Sequence, residues 1–213
     1  KYTLNELCKA VRMNFDGYEQ IRQDILACPK YGRNSEADNY AVKVAEIMQG
    51  VIRSFDRNNY IFSPSLHTLD ANVGYGGAWG AGFDGRYAGT PFAKNAGPSN
   101  DARVADPTSV ILSSSKLPQY KFFGGQPIDI NFGADTVKNH KDAIRSLISI
   151  YLERGGLQFQ VNSLSSRLLR DATDNPEKYP NLVVRIGGYS LLFAGISRES
   201  KEEFIERIAK EGY

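Results

Sequence analysis

The hydrophobic periodicity of this chain changes twice along its length, and this change restricts the fold more than any other sequence feature. Apolar residues recur at helical spacing up to about residue 55, lose that spacing between about residues 61 and 131, and regain it after residue 144. Segment 157–161 then alternates in the manner of a strand, and 182–186 is a second strand candidate. The interleaved pattern predicts a mixed α/β fold.

Three helices are predicted in the first quarter of the chain. Thr3 and Glu6 fit a capping box at the start of the first helix, and the second helix stops before Pro29. The third helix is predicted from about Ser35 to about Phe55. Its apolar stripe, which we expect to be buried, consists of Tyr40, Val44, Ile47, Met48, Val51, Ile52 and Phe55.

The middle of the chain is rich in glycine and predicts long loops that join short strands, for example 109–114 and 128–132. A helix over 144–152 ends at a glycine pair, and a short helix is predicted around residues 168–172. The tail, about 197–210, is predicted to be a polar helix. Phe204, Ile205 and Ile208 should face inward on it, and Arg198, Lys201, Arg207 and Lys210 should be exposed.

Composition narrows the function classes open to the 213 residues. The net charge of +2 implies no strong attraction to nucleic acid or to an anionic membrane, and no apolar run approaches the roughly 20 residues that span a bilayer. The first residues lack the apolar region of a signal peptide. Two cysteines, Cys8 and Cys28, are too few for a disulfide framework, so we expect a reducing, cytoplasmic location.

Common catalytic motifs are excluded first. Gly80, Gly82 and Gly85 match a dinucleotide-binding glycine pattern, but no clear strand precedes them and the residues that follow cannot open a helix. The two histidines, His67 and His140, have no spacing typical of metal ligands or of a catalytic triad, and we expect His140 to be on the surface. We therefore expect no bound metal and no bound cofactor.

The most informative stretch is residues 183–190, in which Arg185 precedes Gly187, Gly188, Tyr189 and Ser190. Taken alone, these residues also fit an ordinary turn at the end of a strand. Glycine has a further property, because loss of a Cα hydrogen leaves an unpaired electron between an amide nitrogen and a carbonyl. Such a radical needs a planar Cα, which a side chain would crowd, and glycine also tolerates the backbone angles of a tight loop.

This stretch resembles the radical motif of the glycyl radical enzymes, the family of pyruvate formate-lyase, glycerol dehydratase, choline lyase and benzylsuccinate synthase. Further segments resemble the family in its order along nearly the whole chain. They are Pro29-Lys30-Tyr31-Gly32 followed by Asp38, Asp84-Gly85-Arg86 with Gly89 and Pro91, the stretch 107–117, Gln158-Phe159-Gln160-Val161-Asn162, and Asp171-Ala172 with Asn175-Pro176-Glu177 and Tyr179.

The resemblance implies the fold, which would be the C-terminal portion of a ten-stranded α/β barrel that is incomplete without an N-terminal partner. Residues 1–70 would belong to the pyruvate formate-lyase-like barrel domain, and residues 71–213 would form the glycyl radical domain. It also implies that Gly188 carries the radical, with Arg185, Gly187, Tyr189 and Ser190 supporting the radical loop.

The implied partners follow from the same resemblance. Family members pair the glycyl radical with a cysteine on a separate upstream loop, and neither Cys8 nor Cys28 occupies that position. A larger chain would supply this cysteine and most contacts to a small-molecule substrate, and this chain would be inactive alone. A radical S-adenosylmethionine activase with an iron–sulfur cluster would install the radical, for which the C-terminal region should be movable. No nucleic-acid or membrane partner is expected.

Three other interpretations stay open at this point. The chain could be a spare part that replaces the damaged radical domain of a complete enzyme. It could belong to the hydrocarbon-adding succinate synthases, whose glycine–tyrosine run is similar to residues 187–190. It could also be a non-catalytic relic or an unrelated binding domain. Co-purification separates them, because an obligate partner with a cysteine loop supports the enzyme and a complete homologue supports the spare part.

Overall fold

The computed structural model describes residues 1–100 and 106–211 of the chain, apart from the side chain of residue 211, and has a mixed α/β architecture. Its helices are α1 Leu4–Arg12, α2 Glu19–Ala27, α3 Ala37–Arg53, α4 Ala71–Gly77, α5 Pro107–Lys116, α6 Ala134–Asn139, α7 Lys141–Glu153, α8 Ser166–Asp174 and α9 Arg198–Glu211. Its strands are β1 Pro127–Asn131, β2 Gln158–Asn162, β3 Val183–Ile186 and β4 Tyr189–Leu192. Among the described residues, no helix is both long and apolar enough to cross a lipid bilayer.

The strands form two small sheets. β1 and β2 pair in parallel, in a register that places Pro127 opposite Gln158 and Asn131 opposite Asn162, and α6 and α7 make the connection between them. β3 and β4 form an antiparallel hairpin. The expected α/β class is confirmed, as are the strands predicted near residues 128–132, 157–161 and 182–186.

Three apolar clusters hold these elements together. The largest packs α3, α5 and α7 on one face of β1, around Tyr151, Phe122 and Ile128. A second joins α8, β3 and α9, and a small third cluster joins α1 and α2. Phe204, Ile205 and Ile208 are buried in the second cluster, which confirms the predicted inner face of the tail helix.

The second cluster makes residues 166–211 a packed unit that carries the β3–β4 hairpin. The predicted surface position of Arg207 is wrong, because this side chain is 6% exposed and its Nε lies 3.3 Å from Glu203 Oε1 on the same helix. Burial, together with the nearby positive charge of Arg207, lowers the pKa of Lys94. Buried charges of this kind require opposite charges close by, and helical spacing alone does not reveal them.

The strand predicted over residues 109–114 is wrong, since these residues lie in the middle of α5. Asp106 caps this helix by accepting a hydrogen bond from the backbone N–H of Ser109, and Pro107 occupies the first turn. The branched residues Val110 and Ile111, which suit a strand, are buried on the helix instead. The structure also contains α4 within the glycine-rich stretch from which only loops and strands were expected.

The buried stripe predicted for α3 is also wrong, although the helix has nearly the predicted bounds. The side of α3 that faces the core carries small residues, among them Ala41, Val42 and Ala45. The large apolar residues point away from the described part of the chain, and Ile47 is 65% exposed. We call this surface the α3 apolar face; its exposed residues are Tyr40, Val44, Ile47, Met48, Val51 and Phe55.

Two of the quoted motifs serve packing in this structure. Asp38 is buried and accepts hydrogen bonds from Lys116 Nζ at 2.7 Å and Ser113 Oγ at 3.0 Å, which ties α3 to α5. Gly32 has φ +93°, and a Cβ there would lie 2.6 Å from Pro98 Cβ, so this turn admits no side chain. Arg86 is buried, and its guanidinium donates to the carbonyls of Tyr87 and Thr90. Asp38 and Gly32 therefore join distant segments of the chain, whereas Arg86 holds together its own loop.

Candidate functional site

The predicted radical residue lies in the turn of the β3–β4 hairpin. Ile186 pairs with Tyr189, so Gly187 and Gly188 form a two-residue loop between the strands. Their φ angles are +55° and +89°. Two-residue hairpin turns with positive φ at both central positions match the right-handed twist of the strands and favour glycine. The local fold thus requires glycine at both positions before any chemistry is considered.

The hairpin explains why the motif contains an arginine and a small polar residue. Arg185 and Ser190 lie directly opposite each other, and Arg185 Nη1 donates to Ser190 Oγ at 3.0 Å. Asn162, at the end of β2, holds the backbone of Arg185 from the other side. Its Nδ2 donates to the Arg185 carbonyl at 3.2 Å, and its Oδ1 accepts from the Arg185 N–H at 3.3 Å. The arginine and serine therefore fasten the base of the turn.

Gly187 is the closely packed member of the pair. Gly187 is buried, and its carbonyl oxygen lies 2.8 Å from Nε2 of His67. Because a carbonyl can only accept, Nε2 of His67 carries the proton in this contact. A Cβ on Gly187 would lie 2.7 Å from Leu69 Cδ2 and 2.9 Å from Leu69 Cα. Residues 67–69 therefore form a wall against which the turn is seated.

Gly188 is half-buried and faces two amide side chains. A Cβ built on it would lie 3.1 Å from Nε2 of Gln158 and 3.6 Å from Nε2 of Gln160, both on β2. The next residue, Tyr189, is 60% exposed. Val183, Leu191 and Leu192 on the same hairpin are exposed as well. One side of the hairpin thus rests on β2, and the other is open in the part of the chain that the structure describes.

The two cysteines lie in the α1–α2 region. Cys8 is half-buried on α1, and Cys28 follows α2, exposed, with its Sγ 3.3 Å from the Asp24 carbonyl. Among the described residues, the atoms within 4 Å of a Cβ on Gly188 belong to glutamine side chains and include no sulfur. His140 is exposed, as predicted.

Four residues around the turn escaped the sequence analysis as site residues: His67, Asn162, Gln158 and Gln160. His67 lies 120 residues from Gly187 in sequence, so no local pattern connects them. The three amides on β2 did leave a signal. They alternate at positions 158, 160 and 162, which places them on one face of the strand, and polar residues on a buried strand face indicate a partner.

Comparison with known proteins identifies a glycine radical domain in this chain, and the hairpin lies within it. The model for the family described as "Glycine radical" matches residues 92–194, and the model described as "Pyruvate formate lyase-like" matches residues 1–76. Together with the relatives described next, these matches show that the chain belongs to the glycyl radical enzyme family. The predicted division at residue 70 stays a prediction.

Similar proteins cover nearly the whole chain. It is 32% identical to the probable dehydratase YbiW of Escherichia coli and 30% identical to the trans-4-hydroxy-L-proline dehydratase of Clostridioides difficile, over 95% and 97% of this chain. The glycerol-bound structure of the glycerol dehydratase from Clostridium butyricum superposes with a TM-score of 0.92 at 30% identity, over 97% of this chain. In all three comparisons, the chain spans 27% of the relative's length.

Proposed function

We propose that this chain stores a radical on Gly188 and exchanges it with a cysteine thiol that lies outside these 213 residues. The observation that carries the proposal is the seating of Gly188. It lies in a turn that is fixed at Gly187 and at Arg185, beside a hairpin surface that is open. A storage residue must be held in place and must also be reachable by the group with which it exchanges hydrogen.

The transfer itself is a simple hydrogen exchange. The S–H bond of the thiol breaks, a C–H bond forms at the α-carbon of Gly188, and the unpaired electron moves to sulfur as a thiyl radical. Substrate chemistry would follow at the thiyl, and the reverse transfer would restore the glycyl radical. Cys8 and Cys28 belong to the helical region around α1 and α2, so we assign the thiol to a larger partner polypeptide or polypeptide segment.

For the reaction class, we propose a lyase, and within the lyases a dehydratase acting on a small molecule. Two relatives are named dehydratases, and the similar solved structure is a glycerol dehydratase. Most substrate contacts would come from the partner, so this chain would be inactive alone. The relatives are about four times longer, which leaves room for the substrate site outside this chain.

Installing the radical requires an activating enzyme, for which we propose a radical S-adenosylmethionine protein with an iron–sulfur cluster. Its own radical would remove one hydrogen from Gly188, so the hairpin must leave its seat during activation. The polar contacts that hold the turn are hydrogen bonds of His67 and Asn162, each of which contributes little net free energy and can be broken and re-formed. Because oxygen destroys such radicals, we place the active protein in an anaerobic cytoplasm.

The test is electron paramagnetic resonance after anoxic treatment with a cognate activase and the partner. We expect a doublet signal that collapses when the chain carries deuterated glycine and that is absent in Gly188→Ala. Gly155→Ala is the matched control, because Gly155 has the same φ of +89° and, in the part of the chain that the structure describes, no atom lies within 4 Å of its Cβ position. A doublet that survives in Gly188→Ala would overturn the assignment.

Three further measurements test the proposal. Air admitted after activation should cut the backbone at Gly188, and mass spectrometry should find a fragment that ends there. An intact chain after a confirmed radical signal contradicts the proposal. Turnover by this chain without any partner contradicts the division of labour, and rescue of a complete, oxygen-cut homologue assigns the chain to repair instead.

A further inference from the structure

Gln160 is a buried amide whose hydrogen-bonding capacity is unused in the described part of the chain. Its side chain is 5% exposed, and neither Nε2 nor Oε1 has a hydrogen-bond partner there. Leaving a buried amide without partners costs stability, and an apolar side chain of the same size would avoid that cost. An amide of this kind is available to bind a group that comes within its reach in another state of the protein.

The geometry of the sheet indicates where that partner lies. β1 and β2 turn Ile128 and Phe159 toward the largest apolar cluster, and Gln158, Gln160 and Asn162 occupy the opposite face of β2. Asn162 is satisfied by the backbone of Arg185 in the hairpin. Gln160, one strand alternation away, therefore lies beneath the same hairpin, with its Nε2 3.6 Å from the Cβ position of Gly188.

The backbone of Gly188 must change shape when it carries a radical. Delocalisation between the amide nitrogen and the carbonyl needs the atoms around the α-carbon in one plane, and the present φ of +89° is far from such a conformation. Flattening the residue turns its two peptide groups. His67 holds the carbonyl of Gly187, which belongs to the peptide group on the N-terminal side of Gly188, whereas no side chain among the described residues bonds to the carbonyl of Gly188 on the other side.

We propose that Gln160 is a positioning residue that hydrogen bonds to the flattened peptide of Gly188 in the radical form. This inference rests on the proposed function of Gly188. Delocalisation places partial negative charge on the carbonyl oxygen, so a donor from Nε2 stabilises the radical and Oε1 remains available for an N–H. Gln158, whose Nε2 is closer to the Cβ position, fills the space over the α-carbon and limits access from that side.

The direct test measures the contact itself. Chain labelled with ¹⁵N in the glutamine side chains is activated anoxically with its partner, and pulsed electron nuclear double resonance is recorded on the glycyl signal. We expect a weak ¹⁵N coupling that persists in labelled Gln158→Leu, a variant that is needed because Gln158 Nε2 also lies near the Cβ position of Gly188. A clear glycyl doublet in labelled Gln158→Leu without this coupling overturns the role of Gln160 and leaves the proposed function intact, whereas the absence of any doublet in the parent chain overturns both.

Substitutions then test the consequence for radical lifetime. Gln160→Leu should lose the ¹⁵N coupling and shorten the anoxic half-life of the doublet about fivefold, the effect of one neutral hydrogen bond. Gln160→Asn, which keeps a shorter amide, should recover part of that lifetime. Val161→Leu is the strand control, because Val161 points to the other side of β2, and it should leave both readouts unchanged. Equal half-lives in Gln160→Leu and Val161→Leu contradict the inference.

Discussion

Gly187 restricts the radical turn more tightly than Gly188 does. An alanine at position 187 would place its Cβ 2.9 Å from the backbone of Leu69, whereas at 188 the Cβ meets the end of a flexible glutamine. We therefore predict that Gly187→Ala lowers the free energy of unfolding by about 3 kcal/mol, from left-handed backbone strain and overpacking combined. Urea denaturation of the purified protein measures this change.

The matched control for that variant is Gly17→Ala. Gly17 has a φ of +73° and no atom within 4 Å of its Cβ position, so its alanine variant bears the backbone strain without the collision. We expect it to lose about 1 kcal/mol. Equal losses at the two positions would show that Leu69 does not hold the turn.

His67 is the side chain that holds the carbonyl of Gly187. We predict that His67→Phe, which keeps a ring but removes the donor, weakens the seating of the hairpin by about 1 kcal/mol and speeds activation about fivefold. The readout is the growth rate of the glycyl doublet at fixed activase. His140→Phe serves as the control, since His140 is exposed. An unchanged rate in His67→Phe would mean that release of the turn does not depend on this bond.

Some residues of the candidate site could be predicted from the sequence, and others could not. Gly187 and Gly188 were predicted from the resemblance of residues 183–190 to the radical motif of the family, and the structure adds a local reason for glycine, because both positions have a positive φ. The pairing of Arg185 with Ser190 follows once a two-residue hairpin is assumed. His67 could not be predicted, because a contact across 120 residues depends on how distant elements pack.

The α8 element contains an acid-sensitive contact. Tyr179 follows the turn after α8, and its hydroxyl donates a hydrogen bond to the carboxylate of Asp171. This hydrogen bond, together with a second one from Asn175, lowers the pKa of Asp171. A carboxyl group whose folded pKa is depressed contributes stability above its unfolded pKa, near 4. That contribution is lost as the pH falls through the lower folded pKa.

We predict that Tyr179→Phe raises the pKa of Asp171 toward its ordinary value. The variant should therefore lose less stability than the parent protein when the pH falls below about 4. A carbon-detected titration of the Asp171 carboxyl by nuclear magnetic resonance measures the pKa directly. Tyr120→Phe, a change at an exposed tyrosine, is the control. An identical Asp171 titration in Tyr179→Phe and parent would contradict the assigned cause.

The errors at the scale of elements have a common physical origin. Val110 and Ile111 favour strands by local propensity, but the cap at Asp106 and burial on both sides of the segment select a helix. In α3 the periodicity was correct and the direction was wrong. Large apolar residues were assigned to the core, whereas small ones such as Ala45 face it. A sequence pattern gives the spacing of an apolar stripe on a helix. It does not say whether the chain's own core or another polypeptide covers that stripe.

The molecule as a whole leaves an unusual amount of large apolar surface open. Besides the α3 apolar face, Tyr60, Ile61 and Phe62 are exposed, and the hairpin adds an exposed surface of its own around Tyr189. Contiguous patches of this kind mark interfaces more often than free surface. The relatives are about four times longer than this chain. We therefore propose that the polypeptide corresponding to the remainder of these relatives covers the exposed apolar surfaces.

We predict that Ile47→Asp, at the centre of the α3 apolar face, weakens association with the proposed cysteine-bearing partner at least tenfold, because a carboxylate would have to leave water without a counter-charge. The chain itself should keep its helicity, since Ile47 is not part of the core. Isothermal titration calorimetry gives the dissociation constant. Asn39→Asp adds the same charge at an exposed α3 position outside the stripe and should bind as the parent does. Equal affinities for the two variants would show that the partner docks elsewhere. A partner that covers the open side of the hairpin would then have to do so without contacting α3.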